Sequence, residues 1–221
     1  MARKCTATIN LGAIKKNYLY AKSLSPNAKA IAIIKANAYG HGAIEVANQL
    51  EDCADCFGVA CIEEAIELRN SGINKTPILL MEGIFELSEI SLIEKYNLIV
   101  TVCNSQQLQW ILDNEFSSPI DVFVKYDSGM GRLGFQGDEY TNAINLLEEN
   151  KNIGNITLMT HFSSADNLED ATTNTQINDF NNALPSKNYP TSLANSAGIM
   201  GWSESHNNFI RPGIMLYGSS P

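Results

Sequence analysis

Ala32-Ile33-Ile34-Lys35-Ala36-Asn37-Ala38-Tyr39-Gly40-His41-Gly42 decides how this 221-residue chain is read. An apolar, β-branched run stops at a lysine, and two glycines flank a histidine before a helical pattern starts. The spacing predicts a strand, a tight turn and a helix. A lysine closing a buried strand would carry its ammonium at the strand's carboxyl end, where α/β folds gather their chemistry. Burial disfavours the charged amine, so Lys35 is expected to be partly neutral and able to attack a carbonyl carbon. A surface lysine that merely follows a strand is the alternative. Gly40 and Gly42 favour the first reading, because they let backbone N–H groups approach an anion such as phosphate at the next helix start.

The same alternation recurs along the chain. Asn10 can cap a helix over 11–22, in which Leu11, Ile14, Tyr18 and Ala21 recur every three or four residues. Helical patterns follow at 43–51, 63–70, about 86–95, after a Ser105 cap, 138–150 and 171–184. Between them stand apolar runs at 57–60, 78–81, 98–102, 119–125, 156–161 and 191–195, and a last pair at 209–211 and 213–217. Eight βα units with runs apolar on both faces predict all-parallel strands closed into an α/β (β/α)8 TIM-type barrel. Lys35, Lys125, His161, Asn195 and Arg211 all fall at or near predicted strand ends, converging on one mouth. No linker interrupts residues 1–221, which are expected to form one domain. Only four residues follow Tyr217, so the barrel is expected to lack its last helix, leaving an apolar face open to weak self-association.

Composition narrows the partners. Asp and Glu number 24 against 15 Lys and Arg, a net charge of −9 that argues against nucleic acid or an anionic membrane surface. Met1-Ala2-Arg3-Lys4-Cys5 is basic but is followed by no apolar core of signal-peptide length, and no stretch approaches membrane-spanning length. A cytoplasmic location is expected. Five cysteines, an odd number, fit reduced thiols better than a disulfide framework. Cys53 and Cys56 have C-x-x-C spacing, which suits redox or zinc chemistry, but no second pair completes a metal site, and structural thiols are the expectation.

Five segments together resemble the pyridoxal-phosphate (PLP) barrel of bacterial alanine racemases: Ala32–Gly42, Lys125–Phe135 (KYDSGMGRLGF), Thr160–Asp166 (THFSSAD), Leu193–Gly198 (LANSAG) and Arg211–Pro221 (RPGIMLYGSSP). Phe57–Gly72 (FGVACIEEAIELRNSG) is similar to the same family. The resemblance implies interconversion of L- and D-alanine through a PLP aldimine on Lys35, supplying D-alanine for the peptidoglycan of the cell wall. Lys35 would also be one of two bases. Tyr39, Ser196 and the backbone around Gly213 and Ile214 would hold the cofactor phosphate. Arg211 would face the pyridine nitrogen, His161 would fix Arg211, and Asn195 would support from behind. Arg132 would touch the cofactor's phenolic oxygen, steadied by a carbamylated Lys125. No metal is implied.

Without the resemblance, Tyr39 and Ser196 read as loop packing, His161 as a structural histidine, and Lys125 and Arg132 as solvated charges. The second base implied by the family is a tyrosine on a C-terminal β domain of a partner subunit in a homodimer. Residues 1–221 are therefore expected to bind cofactor but to racemise alanine slowly. Two alternatives stand beside this: a non-catalytic single-domain PLP-binding barrel, and a PLP decarboxylase barrel, which would place an acid where Arg211 stands.

Overall fold

β1 (Lys29–Ile33) shows why a barrel forms. Ile31 and Ile33 point into its interior, packed with Cys56, Leu79, Phe123 and Met159. Ala30 and Ala32, alternating with them, join the larger core shared with the helices. A strand apolar on both faces needs cover on both, and a closed parallel sheet ringed by helices supplies it. In the computed structural model, which describes residues 5–221, β1 is followed around the barrel by seven further strands. They are β2 (Cys56–Val59), β3 (Ile78–Leu80), β4 (Leu98–Val102), β5 (Ile120–Lys125), β6 (Ile153–Met159), β7 (Thr191–Ser192) and β8 (Phe209–Ile210). All neighbours are parallel and in chain order, and pairing of Lys29 with Phe209 and Ala30 with Ile210 closes the ring. The basic Arg3 and Lys4 lie outside the described residues. No helix among the described residues is long and apolar enough to cross a membrane.

As expected, no α-helix follows β8 among the described residues, but the apolar face this would leave is not open. α1 (Leu11–Leu24) packs against β1, α3 (Ala43–Leu50), α9 (Ser196–Gly201) and the 3-10 turn Ile214–Tyr217. It thus takes the place a helix after β8 would fill. Its buried stripe is Ile14, Tyr18 and Ala21, and burying a side chain of the size of Ile14 contributes about 1.5–3 kcal/mol. Polar ties fix its seat. Tyr18 donates to the Ala30 carbonyl at 3.0 Å, and Asn17 Nδ2 donates to the Leu216 carbonyl at 2.9 Å. The face expected to drive self-association is therefore covered.

Two local expectations also change. Residues 213–217 were expected as strand but form the 3-10 turn. Pro212 has no N–H for a ladder, and its carbonyl accepts from Ile33 N at 3.0 Å, ending the pairing there. The apolar run then folds back over β1, with Tyr217 donating to the Ile33 carbonyl at 2.8 Å. The cap of α6 (Ser105–Leu112) is Asn104 rather than Ser105, since Asn104 Oδ1 accepts from Gln107 N at 2.9 Å.

Candidate active site

Lys35 stands two residues beyond β1, at the start of α2 (Lys35–Gly40). This turn is left-handed: Ala36, Asn37, Ala38 and Tyr39 have φ of 52°, 53°, 53° and 52°. Side chains other than glycine avoid that region at about 1–2 kcal/mol per residue, or roughly 4–8 kcal/mol over four. Surrounding bonds hold it. Ala36 N donates to Glu64 Oε1 at 2.6 Å, Ala43 N to Asn37 Oδ1 at 2.8 Å, and Ala38 N to the Ile34 carbonyl at 2.8 Å. His41 Nδ1 lies 3.1 Å from the Ala38 carbonyl and 3.0 Å from that of Tyr39, with its ring stacked on Tyr217. Strain kept at such a density of contacts is a common mark of a functional site.

Lys35 and Tyr39 both line a cavity of about 460 Å³ at the carboxyl ends of the strands. Lys35 itself departs from expectation. Its side chain is 33% exposed and pairs with Glu82 at 3.6 Å, so it is not the buried amine expected at the end of an apolar strand.

Arg211, just past β8, is the anchor of the cavity floor. It is 2% exposed. Nη1 donates to the Ser192 carbonyl at 2.8 Å and Ser192 Oγ at 2.7 Å, while Nη2 donates to the carbonyls of Thr160 at 2.7 Å and Leu193 at 3.0 Å. Nε alone is buried without a partner. Burial pulls its pKa down to about 9, which leaves it protonated at neutral pH. His161 Nδ1 lies 3.3 Å from Nη2. Burial, and then the positive Arg211, hold this imidazole's pKa well below its ordinary value. A neutral His161 can accept at Nδ1 from the guanidinium and fix its plane.

β5 ends in Lys125, which is 5% exposed. Burial, with help from Arg211 and Arg132, lowers its pKa to about 8. The loop that follows is pinched at its base: Phe135 N donates to the Lys125 carbonyl at 2.9 Å and Asp127 N to that of Phe135 at 3.0 Å. Asp127 Oδ1 accepts from Gly129 N at 3.1 Å and Gly131 N at 3.0 Å. This presents Arg132 to the cavity, and among the described residues no carboxylate pairs with it. Gly134 makes the pinch possible. Its φ is +131°, and a Cβ there would stand 2.6 Å from Asp127 N and 2.8 Å from the Tyr126 carbonyl carbon. Gly134→Ala should therefore cost about 1–3 kcal/mol and displace Arg132. An unchanged urea midpoint would show that the loop adjusts without loss.

At the other end of the cavity, Ser196 Oγ accepts from Gly213 N at 2.9 Å and Met215 N at 3.3 Å. A Cβ on Gly213 would stand 3.2 Å from the Tyr39 hydroxyl. The hydroxyls of Tyr39 and Ser196 thus cluster at Gly213, with Ile214 beside them on the cavity wall. Such neutral donors suit a phosphate. Asn195 also lines the cavity, while its Oδ1 caps α9 by accepting from Gly198 N at 2.9 Å.

Lys35, Tyr39, Lys125, Arg132, His161, Asn195, Ser196, Arg211, Gly213 and Ile214 all border this one cavity. Sequence reading missed Glu64, Glu82 and Ser192. Glu82 carries no motif of its own, and Glu64 is indistinguishable in pattern from its exposed neighbour Glu63. No cysteine lines the cavity: Cys56 lies inside the barrel with its thiol pushed up to about 12 by burial, and Cys53 donates to the Leu50 carbonyl. No group of three or more potential metal ligands occurs among the described residues.

Comparison with known proteins agrees with this geometry. Residues 9–221 match the family model described as alanine racemase, N-terminal domain. Curated relatives include an alanine racemase of Xylella fastidiosa, 44% identical over 99% of this chain and 60% of its own length. A catabolic alanine racemase of Pseudomonas putida is 45% identical over 99% of this chain and 61% of its own. The crystal structure of the biosynthetic alanine racemase from Pseudomonas aeruginosa superposes with a TM-score of 0.92 at 40% identity. That match covers 96% of this chain and 59% of that one. This chain thus spans about 60% of the length of the curated relatives it matches. With the barrel, the converging strand-end residues and these matches in agreement, the chain belongs to the alanine racemase N-terminal domain family.

Proposed function

We propose that this barrel holds PLP and takes part in the racemisation of alanine. One observation carries the reading: Arg211 is fully buried, four of its bonds are fixed by the protein, and its Nε is left without a partner. A planar heterocycle with an acceptor nitrogen would satisfy that N–H. The cradle of Tyr39, Ser196 and Gly213 suits the phosphate, and Lys35 suits the aldehyde. When bound, PLP supplies an electron-poor ring that acidifies the substrate's α-proton.

The protein's own residues do the rest. Lys35 removes or returns the α-proton on one face. Arg211 keeps its own proton, so it would donate a hydrogen bond to a ring nitrogen without protonating it, which favours racemisation over side reactions. Arg132 offers positive charge to the phenolic oxygen. An acid at the ring nitrogen would suit a decarboxylase, and the guanidinium in its place favours racemisation. A homodimer is part of the proposal, supported by exposed Phe85, Leu87, Leu168, Met200 and Ile214 on segments that follow the strands at the mouth. So are a second base supplied by the partner subunit and a cytoplasmic location. The test is reduction of the PLP-loaded protein with borohydride, followed by peptide mapping. The adduct is expected on Lys35, and an adduct on another lysine of folded protein would refute the reading.

Lys125 is proposed to be carbamylated. Its neutral amine nitrogen bonds the carbon of CO2, the N–H proton leaves to solvent, and the resulting anion faces Arg132 instead of repelling it. Because its pKa is lowered to about 8, the reactive neutral form grows as pH rises through that value and is lost as pH falls below it. Carbon-13 bicarbonate should give a carbamate resonance that strengthens with pH over that window and vanishes in Lys125→Ala. A bare amine throughout would count against it.

A further inference from the structure

Glu64 lies in the first turn of α4 (Ile62–Asn70) and uses both of its carboxylate oxygens on backbone N–H groups. Oε2 accepts from Ala60 N at 2.8 Å, on the same side of the helix start. That bond alone is what an acidic residue in a first helical turn commonly makes. Oε1 accepts from Ala36 N at 2.6 Å, 28 residues away in sequence and directly after Lys35. Helix capping gives no reason for this second bond. Glu63, next door on the same helix and exposed, has neither partner.

Ala36 is the first of the four left-handed residues, so Glu64 grips the turn where it leaves the right-handed region. Asn37 Oδ1 secures the far end through Ala43 N at 2.8 Å. Lys35 and Tyr39 flank the gripped stretch, and both border the cavity. A right-handed turn through Ala36–Tyr39 would send the chain on a different course, and the two side chains could not keep their present spacing. A carboxylate gripping an N–H is among the stronger hydrogen bonds available to oppose the local preference.

We propose that Glu64 is a positioning residue. By holding the turn after Lys35 left-handed, it sets the distance between the amine that takes the cofactor's aldehyde and the hydroxyl of Tyr39 that takes its phosphate. This rests on the PLP reading above.

The experiment compares wild type, Glu64→Gln, Tyr39→Phe and the double variant. In the cofactor-free protein, the amide proton resonances of Ala36 and Ala60 should move upfield in Glu64→Gln as the carboxylate is lost. PLP affinity should fall about ten- to hundredfold in Glu64→Gln. Tyr39→Phe, costly in the wild type, should cost nothing further in that background, because the hydroxyl is already out of place. The preference for PLP over pyridoxal, which lacks the phosphate, should shrink in parallel. A residue that only supported the fold would lower both affinities alike. Additive effects of the two substitutions, or unchanged affinity in a folded Glu64→Gln, would overturn the proposal. If that variant does not fold, Glu64→Asp serves instead: its shorter carboxylate reaches one N–H, and an intact preference for PLP would overturn the idea equally. Wild-type protein that captures no PLP on Lys35 would sink the cofactor reading and this inference with it, whereas capture undiminished in the variants sinks only the inference.

Discussion

On the function proposed above, Lys35→Ala is expected to abolish covalent capture of PLP and to slow racemisation of α-deuterated L-alanine by about 10²–10⁴-fold or more. Among the described residues, Lys35 is the only lysine that borders the cavity from the β1 side, where it meets Glu82 at 3.6 Å. Lys125, the other lysine on the cavity wall, sits 5% exposed at the end of β5 and cannot take over without leaving its seat. The remaining groups of the cavity would still bind the cofactor's ring and phosphate, so non-covalent affinity should fall less than rate. This split separates a chemical role for Lys35 from a general loss of structure. A variant that races alanine at the wild-type rate, with cofactor bound, would place the base elsewhere.

The second large effect concerns Arg211→Ala. Its guanidinium satisfies the carbonyls of Thr160, Ser192 and Leu193, which come from the ends of β6 and β7. Removing it takes the guanidinium donor from the buried Thr160 and Leu193 carbonyls, while the Ser192 carbonyl keeps Thr160 N at 3.2 Å, and opens a cavity in the floor. Each orphaned group costs about 1–3 kcal/mol. A drop of that size should appear in the urea midpoint of the cofactor-free protein. Arg211→Lys should recover part of it, since an ammonium can still donate to these carbonyls, but it lacks an Nε and should not recover PLP affinity. A loss of under about 1 kcal/mol in Arg211→Ala would mean that water replaces the guanidinium at these carbonyls.

Much of this was legible from residues alone, for physical reasons that can be named. Ile31 and Ile33 alternate with Ala30 and Ala32, and the two-residue period of a strand puts one pair inside the barrel and the other beneath helices. Repeated eight times, that pattern admits few folds. The strand-end polar residues were identifiable because an apolar run ending in Lys, His or Arg leaves its charge at the rim. The burial of Lys35 was misjudged, because a strand pattern does not show how far the side chain reaches into an open mouth.

Other features are set by bonds that join distant parts of the chain. Nothing in Ala36-Asn37-Ala38-Tyr39 favours positive φ, apart from the modest tolerance of Asn. Asn37 supports it locally through Ala43 N, and Glu64 imposes it through Ala36 N, 28 residues away and brought near only by the folded barrel. The seat of α1 is likewise decided by closure. Once β1 pairs with β8, the helix before the first strand is next to the gap after the last, and Tyr18 and Asn17 bond across it. The open Nε of Arg211 is a matter of tertiary structure too, since it exists only because four carbonyl and hydroxyl bonds from two other strands occupy the rest of the guanidinium. The sequence by itself determined the barrel and the residues at its mouth, because side-chain periodicity and burial are local properties. The handedness of the turn after Lys35, the closing role of α1 and the unpaired Nε of Arg211 were decided by the tertiary structure, because each depends on contacts between residues far apart in the chain.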